Sequence, residues 1–432
     1  MTPRVCMAAF AQKGAATVGI ATTPSTDRRT AVALFSRLRT AEGQADPFPI
    51  YTELRSRGGV SPAPWGGFLV TGFAACDQIL RSANWLEPDR NWRESQGPRT
   101  RWSAFSSREI GRTLPALNPP EHTRVRRAAG SFDRGTIEQI GRTVSRVTDT
   151  LIDTLEEQLR HGEADFAALV SEELPIAAIG DWLGLPPADW PRLRELTHDQ
   201  VFTQELLPSA SQLAQSDAAM AELRSYLTEV VRHRRRHPGD DPVSRWITTW
   251  DGIEPDQGKA DEAVYLLVLF ILLAALETTS TLLSTMTFLL LEHPERWDMV
   301  AADPDIVPAF VEEALRYDSP THVISRVAAQ DCVLDGVEIH ANDMVHLMVG
   351  AAHRDPAKHP DPDRFDPRRK PAHLAFSGGI HYCLGAPLAR LEAQTLLRQL
   401  VGRLPRLTLV RRPQRAPRVA FRRLLNLDVA LA

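Results

Sequence analysis

One cysteine is placed where a sulfur could ligate a metal. It lies in Phe376-Ser377-Gly378-Gly379-Ile380-His381-Tyr382-Cys383-Leu384-Gly385-Ala386-Pro387-Leu388-Ala389-Arg390-Leu391-Glu392. Gly378 and Gly379 permit backbone angles that other residues resist, so the loop can turn tightly beneath a flat ligand. Gly385 allows a close backbone approach just after the cysteine, and Pro387 suits the first turn of a helix. Leu388, Leu391, Thr395, Leu396 and Leu400 then repeat at helical spacing. A cysteine at a helix start feels the positive dipole end and can accept backbone N–H bonds, and both effects favour thiolate. Taken alone, it also reads as one more small buried hydrophobe.

A second chemical group lies inside the longest helical candidate, residues 262–292, roughly 45 Å at 1.5 Å per residue. That stretch is apolar nearly all round, which predicts a helix running through the core. Within it sits Ala274-Ala275-Leu276-Glu277-Thr278-Thr279-Ser280. A carboxylate and hydroxyls are expensive to bury there unless hydrogen-bonded or functional. The plainer reading is a bend, with threonine hydroxyls bonding the preceding turn.

Two further pairs have helical spacing. Asn118-Pro119-Pro120-Glu121-His122 carries a capping side chain and first-turn prolines, and His122 and Arg126 share one face. A solvated basic helix has the same pattern. Glu313 and Arg316, three apart in residues 308–317, can pair across one turn, although surface pairs like this are common and weak.

Taken together in this order, the blocks resemble the cytochrome P450 family from about residue 46 onward. The cysteine block resembles its haem-binding signature Phe-Gly-x-Gly-x-His-x-Cys-x-Gly, with Ser377 where the family has its first glycine. The resemblance implies that Cys383 is the axial ligand of haem b, and that His122, Arg126, Arg326 and His381 contact the haem propionates. Ala274 to Thr279 is similar to the oxygen-activating Ala-Gly-x-(Asp/Glu)-Thr-Thr, which puts the acid–alcohol pair on Glu277 and Thr278 and Ala275 in place of glycine. Glu313 and Arg316 match the structural Glu-x-x-Arg, with Arg364 as the implied arginine partner. By family position the substrate pocket is Phe270, Leu273, Ala274, Val323, Ile324 and Leu424.

The implied fold is mainly α with minor β, a single haem-binding domain over residues 31–432. The implied activity is a haem-thiolate monooxygenase acting on a hydrophobic small molecule, by hydroxylation or epoxidation. Sequences of this style commonly tailor secondary metabolites, so a polyketide- or peptide-derived compound is expected. Two other classes stay open: a haem-thiolate enzyme that couples rings or uses peroxide, and a haem sensor without turnover. No flavin or iron–sulfur segment is seen, so electrons from NAD(P)H are expected through a separate ferredoxin and ferredoxin reductase. Arg124, Arg127 and Arg390 are candidate contacts for that ferredoxin.

Composition agrees with these expectations. The 432 residues carry 50 basic and 54 acidic side chains, a net charge of -4, which argues against a nucleic-acid partner. Four cysteines without pair spacing fit a reducing cytosol. Residues 1–30 read as a disordered extension, and no stretch reads as a membrane anchor. A cytoplasmic monomer is expected. Residues 85–114 lack periodicity and are read as a long functional loop whose Arg99, Arg101 and Arg108 could meet an acidic group. Residues 197–216 also lack rhythm and are read as a flexible connection.

Overall fold

The computed structural model describes residues 25–432 apart from Ser131. The central element is the helix Gln257–Leu291, 35 residues long. Asp256 fixes its start by accepting from the Lys259 N–H. It ends just before His293-Pro294, where the proline cannot continue the ladder. Leucine, valine and isoleucine occupy every face, so neighbours must cover it on all sides. Ala210–Arg236, Pro242–Asp251, Glu173–Trp182 and Ala386–Arg403 do this. Arg134–Arg160 packs outside them, turning Ile140, Val144, Ile152, Leu155 and Leu159 inward at helical spacing.

The strands form a minor part. β1 (Val60–Pro62), β2 (Phe68–Val70), β3 (Trp85–Leu86), β5 (Val323–Ala328) and β8 (Met344–Met348) make one sheet in the order β1-β2-β8-β5-β3. β4 (Ala164–Asp165), β9 (Leu407–Leu409) and β10 (Asp428–Leu431) make a second, and β6 (Cys332–Leu334) pairs with β7 (Val337–Ile339). The last two strands are joined by Asp335-Gly336, both at positive φ, as a two-residue hairpin turn demands. One register matters for the site: Trp85 faces Ala328 and Leu86 faces Val327, so Glu87 leaves β3 beside Arg326.

Several expectations change here. Residues 85–114 are not one loop: they hold β3, the helices Arg90–Ser95 and Phe105–Ile110, and the 3-10 turn Arg101–Ser103, with another beginning at Leu114. Their helices are six residues each, too short to show a hydrophobic period, and polar side chains bond them to the fold. Residues 197–216 are mostly helical too, since Trp190–Gln200 runs into a 3-10 turn and Ser209 begins the next helix with a capping box. Asn118 caps no helix; its side chain instead grips the backbone of Glu87 on both sides. The extension expected over residues 1–30 lies mainly outside the described residues, and a helix already starts at Ser25. Among the described residues, Gln257–Leu291 is long and apolar enough to cross a membrane, but 72% of its most apolar window is buried within the fold.

Candidate functional site

Cys383 follows a 3-10 turn, Gly379–His381, and precedes the helix Ala386–Arg403. Its N–H bonds the Phe376 carbonyl at 2.9 Å, closing the loop on itself. Gly379 is required twice over: its φ is 60°, and a Cβ there would stand 2.6 Å from the Leu80 carbonyl oxygen. Ser377 also lies at positive φ, 58°. The serine that replaces the signature's glycine therefore occupies a left-handed conformation rather than an ordinary turn. At Gly385 no atom of the described residues beyond its chain neighbours lies within 4 Å of an added Cβ, so the close approach expected there is not made by them. Burial pushes the Cys383 thiol up; the Gly385 and Ala386 N–H groups and Arg126 pull it down without prevailing. The helix start therefore does not by itself produce a thiolate here, and a bound cation would have to complete the job.

Three elements meet that loop from one side. The helix Glu121–Ala129 brings His122 against His381, ring centroids 4.4 Å apart, and sends Arg126 to the Tyr382 carbonyl at 3.2 Å. From β5, Arg326 reaches the Ser377 hydroxyl at 3.5 Å. Glu87, next to β3, stands 2.6 Å from Arg326 and 3.9 Å from His381. All four residues predicted to meet haem carboxylates are thus gathered in one place. Among the described residues, nothing hydrogen-bonds the buried Nε2 of His122. Burial, Arg326 and the neighbouring His122 and Arg126 hold His381 down to about 3; burial and then Arg126 lower His122 as well. Two guanidiniums and one carboxylate among these side chains leave the pocket short of negative charge, and the two imidazoles, both held down, add hydrogen-bonding nitrogens; the two carboxylates of a haem would supply the missing charge. The residues fit the group.

Glu277 and Thr278 are both on the core helix, but consecutive residues point about 100° apart. Thr278 is half-exposed and Ala274 exposed, although the helix around them is buried. The Thr278 hydroxyl donates to the Ala274 carbonyl at 2.8 Å, so the back-bonding of the plainer reading is present and leaves the oxygen's lone pairs facing outward. Glu277, 2% exposed, turns the other way. Its Oε2 is 2.6 Å from His198 Nδ1 and its Oε1 is 2.6 Å from Arg418. His198 Nε2 lies 3.7 Å from Glu172, which in turn pairs with Arg423. Burial opposes the Glu277 charge, yet His198 and Arg418 hold its carboxyl below the usual range. Burial likewise opposes the His198 charge, and Glu172 and Glu277 raise it nonetheless. His198, Glu172, Arg418 and Glu87 carry no sequence signal of their own: the ion pairs join positions 79, 141 and 239 residues apart.

The Glu313–Arg316 pair forms as expected, with both side chains fully buried and two contacts of 2.7 and 2.8 Å. The arginine that joins it is Arg369, 3.4 Å from Glu313, and not Arg364. Arg364 contributes its backbone carbonyl to Arg316 and leaves its side chain exposed, because the chain turns once more before reaching the pair. Of the expected pocket residues, Phe270, Leu273 and Ala274 share a helix face, and Val323 and Ile324 follow on β5. Leu424 is 2% exposed and packs into the main core. Arg101 gives three of its donors to the carbonyls of Thr203, Glu205 and Leu206, and Arg108 bonds the Ser103 carbonyl, so both are engaged within the protein.

Comparison with known proteins bears on the same arrangement. Residues 210–404 match the family model "Cytochrome P450". Over 372 residues the chain is 34% identical to cytochrome P450 monooxygenase PikC of Streptomyces venezuelae, covering 84% of this chain and 85% of that one. It is 32% identical to 6-deoxyerythronolide B hydroxylase of Saccharopolyspora erythraea, covering 84% and 90% respectively. The crystal structure of P450BioI in complex with a hexadec-9Z-enoic acid ligated acyl carrier protein superposes with a TM-score of 0.83 at 29% identity, covering 91% of this chain and all of that one. A cysteine loop, a pocket short of negative charge and relatives matched along most of their length all lead to one family, and the chain belongs to the cytochrome P450 monooxygenases, whose haem is held by a cysteine thiolate.

Proposed function

We propose that Cys383 is the axial ligand of haem b, that His122, Arg126, Arg326 and His381 hold its carboxylates, and that the enzyme hydroxylates a large hydrophobic natural product of the polyketide kind. The observation that carries this is the surface kept by Ala274 and Thr278 midway along an otherwise buried helix, against which the helix after Cys383 packs. When bound, a thiolate-ligated haem supplies the dioxygen chemistry, the sulfur favouring O–O cleavage.

The chain's own residues then manage protons and water. Thr278 Oγ1, its hydrogen directed to the Ala274 carbonyl, accepts a hydrogen bond from the space it faces. His198 Nδ1 lies 2.6 Å from Glu277 Oε2 and holds the proton that Glu277 would relay; the raised imidazole and lowered carboxyl keep it on His198 at rest. Carrying it on to Thr278 requires Glu277 to leave Arg418 and turn about the helix. Apolar side chains from Phe270, Leu273 and Ile324 exclude water and favour a hydrophobic substrate with few polar anchors. The named relative that acts on 6-deoxyerythronolide B supports the substrate class. Electrons are taken from NAD(P)H through a ferredoxin and its reductase in the cytoplasm. Arg390 already pairs with Glu312 at 2.6 Å and Arg124 with Glu254 at 3.3 Å, which leaves Arg127, exposed, as the first ferredoxin contact to test.

Titrating the haem-loaded enzyme with a macrolactone, a long-chain fatty acid and a small aromatic acid tests the substrate class. The expected result is a shift of the haem absorption band with the macrolactone at the lowest concentration. A shift with the small aromatic acid alone would overturn it.

A further inference from the structure

Glu87 has no part in the reading above, yet it touches two residues of the haem-carboxylate pocket. Its Oε1 is 2.6 Å from Arg326 Nη1 and 3.9 Å from His381 Nε2. It cannot easily withdraw. The Asn118 side chain accepts from the Glu87 N–H at 2.9 Å and donates to the Glu87 carbonyl at 3.0 Å. The side chain itself is only 12% exposed.

We propose that Glu87 belongs to the haem-carboxylate pocket as a protonated carboxyl, donating a hydrogen bond to a haem carboxylate held by Arg326, so that filling the pocket places one proton on Glu87. This rests on the proposed role of Arg326 and His381. Two carboxyl groups sharing one guanidinium in a buried site do not both stay ionised; one keeps a proton. The groups around Glu87 define which one. Arg326 faces it from β5 and His381 from the cysteine loop, with His122 and Arg126 behind His381 on their helix. Arg93, from the helix Arg90–Ser95, adds a positive charge but gives its donors to Pro88 and Ser107. Asp89 sits beyond, bonded to Asn118. Burial pushes Glu87 up to about 7 against the pull of Arg326 and Arg93, so it already stands at the edge of protonation. A haem carboxylate beside it moves it further the same way.

The filled site binds this proton more tightly than the empty one, so the share of haem affinity that comes from Glu87 falls as pH rises above 7. Cys383 works in the opposite sense, because its raised thiol gives up a proton on ligating haem. Glu87→Gln keeps the Cys383 proton and removes only that of Glu87, so the difference in slope between wild type and variant belongs to Glu87.

Transfer of haem from the loaded enzyme to excess apomyoglobin, followed from pH 7 to 9, reads this directly. The ratio of wild-type to Glu87→Gln release rates should rise with pH, approaching about tenfold per unit, the limit for one linked proton. Infrared difference spectra of the loaded proteins at pH 8 should show a protonated-carboxyl carbonyl stretch in wild type that Glu87→Gln lacks. Parallel release profiles in wild type and Glu87→Gln, or a wild-type spectrum without that stretch, would overturn the proposal; the second needs no variant. Arg326→Gln separates the two layers. Faster release at every pH supports the pocket, whereas release equal to wild type ends the pocket assignment and the role of Glu87 with it.

Discussion

Replacing Glu277 by glutamine should do more damage to the fold than its position beside Thr278 suggests. Glutamine keeps the shape but removes the charge that two buried cations share, His198 at 2.6 Å and Arg418 at 2.6 Å. Removing one partner of a buried ion pair leaves an uncompensated charge and costs about 3–5 kcal/mol. Unfolding entropy near 2.1 cal/mol/K per residue over 432 residues amounts to about 0.9 kcal/mol/K, so the midpoint should fall by about 3–6 °C. The loss should depend on pH. Glu277 is held below its ordinary value, so its contribution is present above about pH 4.5 and fades as pH falls through the lowered value. His198 is raised, so its contribution is full below about pH 6.5 and fades as pH climbs through the raised value. The difference from wild type should therefore peak between those limits and shrink on the alkaline side to the Arg418 share. Circular-dichroism melting of haem-loaded protein at one scan rate from pH 4.5 to 9 measures this, with His198→Gln and the double variant completing a cycle. A midpoint unchanged by Glu277→Gln, or strictly additive single variants, would refute the reasoning, because contacting charges must couple.

Thr278→Ala should keep consuming NADPH and oxygen while product per NADPH falls severalfold and peroxide appears, read by oxygen electrode and product chromatography. Arg369→Ala should lower stability by about 1–3 kcal/mol by leaving a buried carboxylate with one fewer donor, while Arg364→Ala should stay within about 0.5 kcal/mol; denaturant midpoints of the two compare them. Ser377→Gly should raise stability by about 0.5–1 kcal/mol, since glycine accepts the 58° φ that serine resists. The 3.5 Å contact with Arg326 is a small loss against that.

What was legible in the sequence is local. The core helix, the cysteine loop, the helix after it and the Glu313–Arg316 pair all follow from periodicity, caps or a short spacing. The family likeness added His122, Arg326 and His381, whose chemistry alone would not have placed them together. The misreadings have a common physical cause. Residues 85–114 and 197–216 are ordered by polar side chains bonding distant backbone, such as Arg101 to Thr203, Glu205 and Leu206, and such bonds leave no hydrophobic period. Arg369 replaced Arg364 because which of two nearby arginines reaches a buried carboxylate depends on one turn of chain. The partners of Glu277 were invisible for the same reason: Arg418 lies 141 residues further along the chain, in a segment whose Arg415, Arg418 and Arg422 are buried against Asp318 and Glu277. Burial also reversed one electrostatic expectation, holding the Cys383 thiol up where the helix start predicted a lowered value.

Everything in the account hangs on one sulfur. The reduced carbon monoxide complex of the haem-loaded enzyme should show the strongly red-shifted Soret band of thiolate ligation, and Cys383→Ser should abolish it while Cys76→Ser and Cys332→Ser leave it in place. A Cys383→Ser protein that keeps the shifted band would contradict the assignment of this loop as the haem's anchor.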